Sequence, residues 1–196
     1  ATGLAPDADR VVVDQRGIAS TGTVVRVDLE RGTVTDTVDV GLQPTAMAWD
    51  EGRERLFVAN ANSDSISVVD TRARRTTATI AIEPFGLPLK GIAPTALAVA
   101  PDGRTLYVAL GGLNAVAVVD VNGRAVRGFI PTAWYPNGLV LSPDGTRLAG
   151  STLLGVGSGY QEKPERRQVH AYRGTVNVLV LPDEVAGPQE AVLREG

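Results

Sequence analysis

The sequence predicts an all-β fold made of a repeated four-stranded antiparallel unit. One turn, an Asp close to a Gly and followed by an apolar run, recurs most clearly as APDGRTLYVAL (100–110) and SPDGTRLAG (142–150). The aspartates of this turn are spaced by 43, 52 and 42 residues, at Asp7, Asp50, Asp102 and Asp144. A period near 42 that leaves room for four short strands is typical of the blades of a β-propeller.

The third copy shows the strands of one unit in order, named A to D from the propeller axis outward. They are TALAVA (95–100), TLYVAL (105–110), AVAVVDV (115–121) and AVRGFI (125–130). Between A and B, Gly103 is free to take the positive φ of a tight turn. Between C and D, the pair Asn122-Gly123 suits a two-residue hairpin. No segment outside the tail has a convincing helical period.

The same pattern divides the chain into four units and a tail. Their approximate bounds are 1–40, 41–82, 94–132 and 136–182, with the tail at 183–196. Unit 4 has segments for strands A, B and C but no clear strand D. Because small twisted blades commonly form rings of about six to eight, we expect these four blades to belong to a larger ring of the seven-bladed type.

Composition excludes several classes of protein. Hydrophobic residues make up 43% of the chain, which is enough for a core. The net charge of −3 argues against a nucleic-acid partner, since phosphate binding requires clustered positive charge. The chain has no cysteine, which excludes disulfides and thiolate metal sites. No apolar run approaches the ~18 residues of a membrane span.

Motifs in units 2 and 3 resemble the YVTN-type β-propeller repeat. The repeat of that family runs through a Pro, an Asp-Gly turn, a Tyr-Val-Ala-Asn strand and a Val-x-Val-Ile-Asp strand. Here LFVAN (56–60) and SISVVDT (65–71) match it well, whereas LYVAL ends in Leu110 where Asn is usual. The resemblance covers about residues 1–182, and it implies the fold much more than a function.

Unit 4 is similar to the last part of the propeller in a bifunctional family. The stretch is WYPNGLVLSPDGTRLAGSTLLGVGSG (134–159), followed after a polar insertion by RGTVNVLVLPD (173–183). In that family the propeller precedes an alkaline-phosphatase-like phosphoesterase domain. The resemblance implies a periplasmic or secreted propeller half whose C-terminal enzyme domain is missing here. It does not carry over the phosphoesterase activity, because a chain with one His has no counterpart of the metal ligands.

Both long insertions are predicted on one face of the propeller, where the B–C and D–A loops lie. They are 83–94 and 155–173, and elaborated loops on a rigid scaffold often carry recognition. Candidate ligand or partner contacts are residues that follow Pro at the start of strand A, two rim aromatics, and polar residues of the second insertion: Thr45, Thr95, Asn137, Trp134, Tyr135, Tyr160, His170, Tyr172 and Arg173. The alternatives are that the Thr and Asn residues only cap strand ends and that Trp134 packs between blades.

Three functions fit these observations. The first is a non-catalytic binding or scaffold module for a small molecule, a glycan, a protein, a neighbouring domain, or a second chain that completes the ring. The second is a propeller lactonase-like hydrolase, although the channel strands TAMAW, TALAV and NGLVL carry almost no acid or base. The third is a DNA- or surface-binding propeller, which the acidic balance disfavours for DNA. No catalytic residue, metal site or cofactor is predicted, since His170 has no identifiable partner for general-base chemistry.

Overall fold

The computed structural model describes residues 22–155 and 174–181, and within them strands form four antiparallel sheets. Unit 1 contributes β1 (Gly22–Asp28) and β2 (Thr33–Val40). Unit 2 contains β3 (Pro44–Asp50), β4 (Arg55–Asn60), β5 (Ser65–Asp70) and β6 (Arg75–Ala81). Unit 3 contains β7 (Pro94–Val99), β8 (Thr105–Leu110), β9 (Ala115–Asp120) and β10 (Ala125–Pro131). Unit 4 contains β11 (Pro136–Leu141), β12 (Arg147–Thr152) and β13 (Thr175–Val180).

Each sheet is a meander in which strands pair in chain order. Short turns suffice because antiparallel neighbours can be joined by hairpins. The predicted all-β fold of four-stranded antiparallel blades is therefore confirmed. The strands predicted for unit 3 lie within one residue of those observed, because alternation and turn residues both mark their bounds. Two short 3₁₀ turns, Glu51–Arg53 and Pro84–Gly86, complete the described elements.

The units pack side by side through their sheet faces. The inner strands β3, β7 and β11 are neighbours in that order. Unit 3 is buried on both faces: Leu106 and Val108 belong to the core shared with unit 2, while Tyr107 and Val118 belong to the core shared with unit 4. The alternation of side chains along a strand sends successive residues to opposite neighbours. The apolar runs of β8 and β9 are thus strands that are covered on both sides.

Aspartates close the turns that the sequence repeat marks. Asp102 Oδ1 accepts hydrogen bonds from the backbone N–H groups of Arg104 and Thr105. Asp120 does the same for Asn122 and Gly123. Such Asx turns hold the chain in a bend without any ligand, so the repeated Asp has a structural role.

The turn at Asn122-Gly123 differs from the prediction of a two-residue hairpin. Four residues, 121–124, separate β9 from β10, and the left-handed position is Arg124 with φ 52°. Asp120 Oδ1 accepts a hydrogen bond from the N–H of Gly123, and the positive φ falls one residue after that glycine. Gly103, by contrast, has the positive φ that was predicted, 61°.

Residues with a left-handed backbone conformation recur at one kind of position, directly before a strand. Among the described residues, every non-glycine residue with positive φ except Phe85 directly precedes a strand: Gln43, Glu54, Asp64, Arg74, Ala93, Asn114, Arg124 and Tyr135. Such a conformation costs an L-residue about 1–2 kcal/mol. Eight strands begin after such a residue, whereas β8, β12 and β13 do not.

Candidate functional site

One face of the molecule is built from the B–C and D–A loops, and we call it the loop face. Its described segments are 41–43, 61–64, 82–93, 111–114, 132–135 and 153–155. Backbone hydrogen bonds join these loops in the same way in three units. The N–H of Ala61 donates to Gln43 O, that of Gly111 to Ala93 O, and that of Leu153 to Tyr135 O. The loops therefore form one braced surface.

Two side chains anchor the D–A loops from matched positions. Asp64 accepts hydrogen bonds from Gly91 N and Ala93 N, both at 3.0 Å. Asn114 Oδ1 accepts one from Tyr135 N, also at 3.0 Å. Each anchor lies directly before a strand C and reaches the residue directly before the next strand A. The Asp64 carboxylate is buried, and these amide donors compensate for its lost hydration.

Two glycines let the loops approach one another closely. A Cβ on Gly112 would lie 1.9 Å from the carbonyl oxygen of Gly91. A Cβ on Gly111 would lie 3.1 Å from the ring of Tyr135. Any larger residue at Gly112 would push the 83–93 insertion away from unit 3.

The loop face exposes large apolar side chains on this braced backbone. Phe85 is 85% exposed and Trp134 is 47% exposed, and Leu87, Leu89 and Tyr135 are exposed as well. The Phe85 ring also contacts Phe129, with 5.6 Å between ring centroids. Exposed aromatic residues are enriched at binding sites. The loops held by hydrogen bonds and their exposed apolar side chains both favour recognition on this face.

Phe85, Leu87 and Leu89 were not singled out from the sequence, although the insertion that holds them was. A signal was present, because PFGLPL is an apolar stretch in a loop that lies between two strands. Trp134 occupies the position that Ile92 and Leu42 hold in other units, as the matched loop hydrogen bonds show. Ile92 is buried at this position. The Trp134 side chain is larger, so part of its ring is covered and part reaches solvent.

The threonines at the start of strand A bind the neighbouring unit. Thr45 Oγ1 lies 2.8 Å from Pro94 O, and Thr95 Oγ1 lies 2.6 Å from Pro136 O. A hydroxyl has one proton to donate, and the inter-unit carbonyl is the nearer acceptor in both cases. Both residues thus have a structural partner, and their role as ligand contacts stays a prediction.

Asn137 occupies the same position in unit 4 and has a different contact. Its Oδ1 accepts a hydrogen bond from Ser151 Oγ of the adjacent strand at 3.2 Å, and its side chain is exposed. The other predicted contacts, Tyr160, His170, Tyr172 and Arg173, lie outside the described residues. The structure therefore brings Thr45, Thr95, Trp134, Tyr135 and Asn137 to one rim.

The opposite face carries acidic groups that the protein itself engages. Asp50 pairs with Arg55 at 2.7 Å, and Arg55 also donates to Gly103 O in the next unit. The hydrogen bond from Arg127 lowers the pKa of Asp120. The hydroxyl of Ser142, with Thr146, lowers the pKa of Asp144 to about 2. The lowered pKa values make the Asp120 and Asp144 carboxylates poor proton acceptors near neutral pH.

Three further observations concern the described part of the chain. No group of three or more His, Asp or Glu residues comes together there. A small cleft of about 10 Å³ opens between units 3 and 4, and its wall includes Leu139, Leu148, Gly150 and Leu179. Its lining is apolar. By strand register, Gly150 of unit 4 lies at the position that Val108 occupies in unit 3. No helix in the described part of the chain has the length and apolar character needed to cross a membrane.

Comparisons with known proteins support the fold. No family model and no curated protein matches the chain. Among solved structures, hydrazine synthase of Kuenenia stuttgartiensis is similar, with a TM-score of 0.57 and 31% identity. The likeness covers 68% of this chain and 39% of that one, so the matched part spans well under half of the neighbour. That neighbour contains a β-propeller, and the likeness and the four-stranded sheets place this chain in the β-propeller class.

Proposed function

We propose that this protein is a non-catalytic propeller module that binds a protein partner through the loop face. The β-propeller fold serves generally as a binding or scaffold module. The observation that carries the proposal is the group of exposed apolar side chains on loops that hydrogen bonds hold in place. Preorganised loops lose little conformational freedom on binding, which favours affinity.

The chemistry of the face favours a protein over a glycan or a small polar molecule. Phe85, Leu87 and Leu89 are apolar residues with no hydrogen-bonding side-chain group, and Trp134 and Tyr135 add aromatic surface. Apolar and aromatic residues are what the centres of protein interfaces favour. The buried Asp64 carboxylate is occupied by backbone amides, so the face offers it to no ligand.

A neighbouring domain is one partner that fits this proposal. The resemblance of unit 4 to propellers that precede a phosphoesterase domain supports such a partner, and the resemblance of units 2 and 3 to the YVTN-type repeat supports the fold. In this proposal the protein is periplasmic or secreted, and the propeller positions the enzyme domain.

The proposal can be tested with Trp134 as the reporter. The chain has two tryptophans, so Trp49→Phe leaves Trp134 alone. Peptides selected from a random phage library against this variant are titrated while Trp134 fluorescence is followed. We expect selected peptides to change that emission and to bind at least tenfold more weakly when Phe85→Ser and Leu87→Ser are added.

The matched control is Leu29→Ser, which removes an exposed leucine from a turn on the opposite face. This control should leave peptide affinity unchanged. Peptides that bind all three proteins equally, or that leave Trp134 emission unaltered, would contradict the proposal.

A further inference from the structure

One residue of the loop face has a backbone conformation that the regular pattern of the units does not explain. Phe85 is left-handed, with φ 57° and ψ 24°. Among the described residues, it is the one left-handed non-glycine residue that does not directly precede a strand. Such a conformation is rare for a bulky side chain and costs stability. Another property of Phe85 must therefore account for its presence at this position.

Phe85 occupies a turn position that favours asparagine or glycine. The N–H of Gly86 donates a hydrogen bond to Glu83 O. The N–H of Leu87 donates one to Pro84 O. In this second turn the two central residues, Phe85 and Gly86, both have positive φ, which a type I′ turn requires and which Asn-Gly adopts most readily. Phenylalanine thus stands where asparagine would cost less.

The ring of Phe85 contributes little to the core. It is 85% exposed, and its ring contacts that of Phe129 with 5.6 Å between the centroids and 42° between the planes. Phe129 is itself partly buried against the core shared by units 2 and 3. Aromatic pairs at this separation attract one another. The contact therefore orients the Phe85 side chain without burying it.

The backbone of the 83–93 insertion is held by its own hydrogen bonds. In addition to the two turn bonds, the N–H of Leu89 donates to Leu87 O. Two further N–H groups donate to the Asp64 carboxylate. A segment whose N–H groups are engaged in this way is a poor edge strand for a partner to extend. Recognition by the insertion therefore depends on its side chains, of which Phe85 is the most exposed large apolar one.

We infer that Phe85 is the hot-spot residue of the loop face, the side chain that a partner protein buries in an apolar pocket. This inference rests on the proposed binding function and adds the residue that determines which partner binds. A ring that is exposed on nearly all sides is buried only by a concave surface, so the partner presents an apolar pocket of aromatic size. The left-handed turn holds the ring outward, and such strain is characteristic of sites that contact a ligand.

Thermal melts of Phe85 variants test whether the ring is kept at a cost in stability. Phe85→Asn and Phe85→Ala both remove the ring, but only asparagine suits a left-handed backbone. We expect Phe85→Asn to melt about 2–4 °C above Phe85→Ala and no lower than the wild type. At Leu87, whose φ is −104°, the same two substitutions should show no advantage for asparagine. Equal melting of the two Phe85 variants, or melting of Phe85→Asn below the wild type, would overturn the inference.

Binding is tested in the Trp49→Phe background with library peptides that change Trp134 emission. Phe85→Asn should weaken the binding of these peptides at least tenfold, as expected for a hot-spot residue. Leu87→Asn, in the same insertion, should weaken it less. Arg124→Asn, at a left-handed position on the opposite face, is the matched control and should leave the affinity unchanged.

The proposed binding function and the role of Phe85 fail in different ways. If no selected peptide changes Trp134 emission, the binding function fails and the role of Phe85 fails with it. If peptides change that emission but bind Phe85→Asn as tightly as its parent, the binding function stands and Phe85 is not its hot spot. The same conclusion follows if Leu87→Asn weakens binding as much as Phe85→Asn does.

Discussion

Thr95 donates its hydroxyl proton to the carbonyl oxygen of Pro136 across 2.6 Å, which ties the inner strand of unit 3 to that of unit 4. The bond recurs one unit earlier between Thr45 and Pro94 at 2.8 Å. In addition to apolar packing and contacts such as Arg55 to Gly103 O, these blades thus share a polar contact that repeats at the start of strand A. This contact fixes their relative position along the strand direction, which nonspecific apolar packing does not.

Replacing Thr95 by Val should therefore destabilise the protein by about 1 kcal/mol, the usual net value of such a hydrogen bond. Thermal melts followed by circular dichroism measure the change. Thr95→Ser keeps the hydroxyl and should lose much less stability. If Thr95→Val and Thr95→Ser melt at the same temperature, the bond has no energetic role.

Replacing Asp64 by Ala should loosen the 83–93 insertion. It leaves the N–H groups of Gly91 and Ala93 without their acceptor, at a cost of roughly 1–3 kcal/mol for the unsatisfied donors. Amide hydrogen exchange of those two residues should become faster. Asp70→Ala, which removes a turn acceptor on the opposite face, is the control and should leave both exchange rates unchanged.

Replacing Gly150 by Ala should stabilise the protein by about 0.5–1 kcal/mol, because glycine is unfavourable inside a strand. The new Cβ would lie 3.4 Å from Leu139 Cδ2, at the edge of ordinary contact, and would enter the cleft between units 3 and 4. The opposite sign is expected for Gly112→Ala, whose Cβ would clash with Gly91 O. Chemical denaturation of the two variants compares them directly, and equal effects would contradict the packing described here.

Acid should act on the Asp144 turn in a defined pH range. The folded pKa of about 2 lies below the unfolded value of about 3.9. The stabilising contribution of this carboxylate is therefore fully present above pH ~4 and is lost as the pH falls through about 2. Ser142→Ala removes the largest cause of the shift, so the pKa of Asp144 should rise toward its ordinary value.

Carbon-detected NMR titration of the Asp144 carboxyl group follows this change. Asp120, which Arg127 holds in a different turn, should titrate identically in the wild type and in Ser142→Ala. An unchanged Asp144 midpoint would show that the Ser142 hydroxyl does not hold the pKa down.

The sequence predicted much of the fold because its signals are local. The Asp102-Gly103 turn and the alternation of β8 lie within a few residues of each other, so a short stretch determines both. The anchor from Asp64 to Gly91 spans 27 residues and has no local signature. The exposure of Phe85 likewise depends on how the insertion is held against unit 3, which requires the packed structure.

The left-handed residue that precedes strands such as β6 and β7 makes the start of the strand independent of the length of the preceding loop. Arg74 starts β6 after a four-residue turn, and Ala93 starts β7 after the 83–93 insertion, with nearly the same φ of 55° and 51°. Natural variation can therefore lengthen or exchange the loops of one face while the blades keep their register. The same property makes these loops suitable sites for grafting foreign recognition sequences.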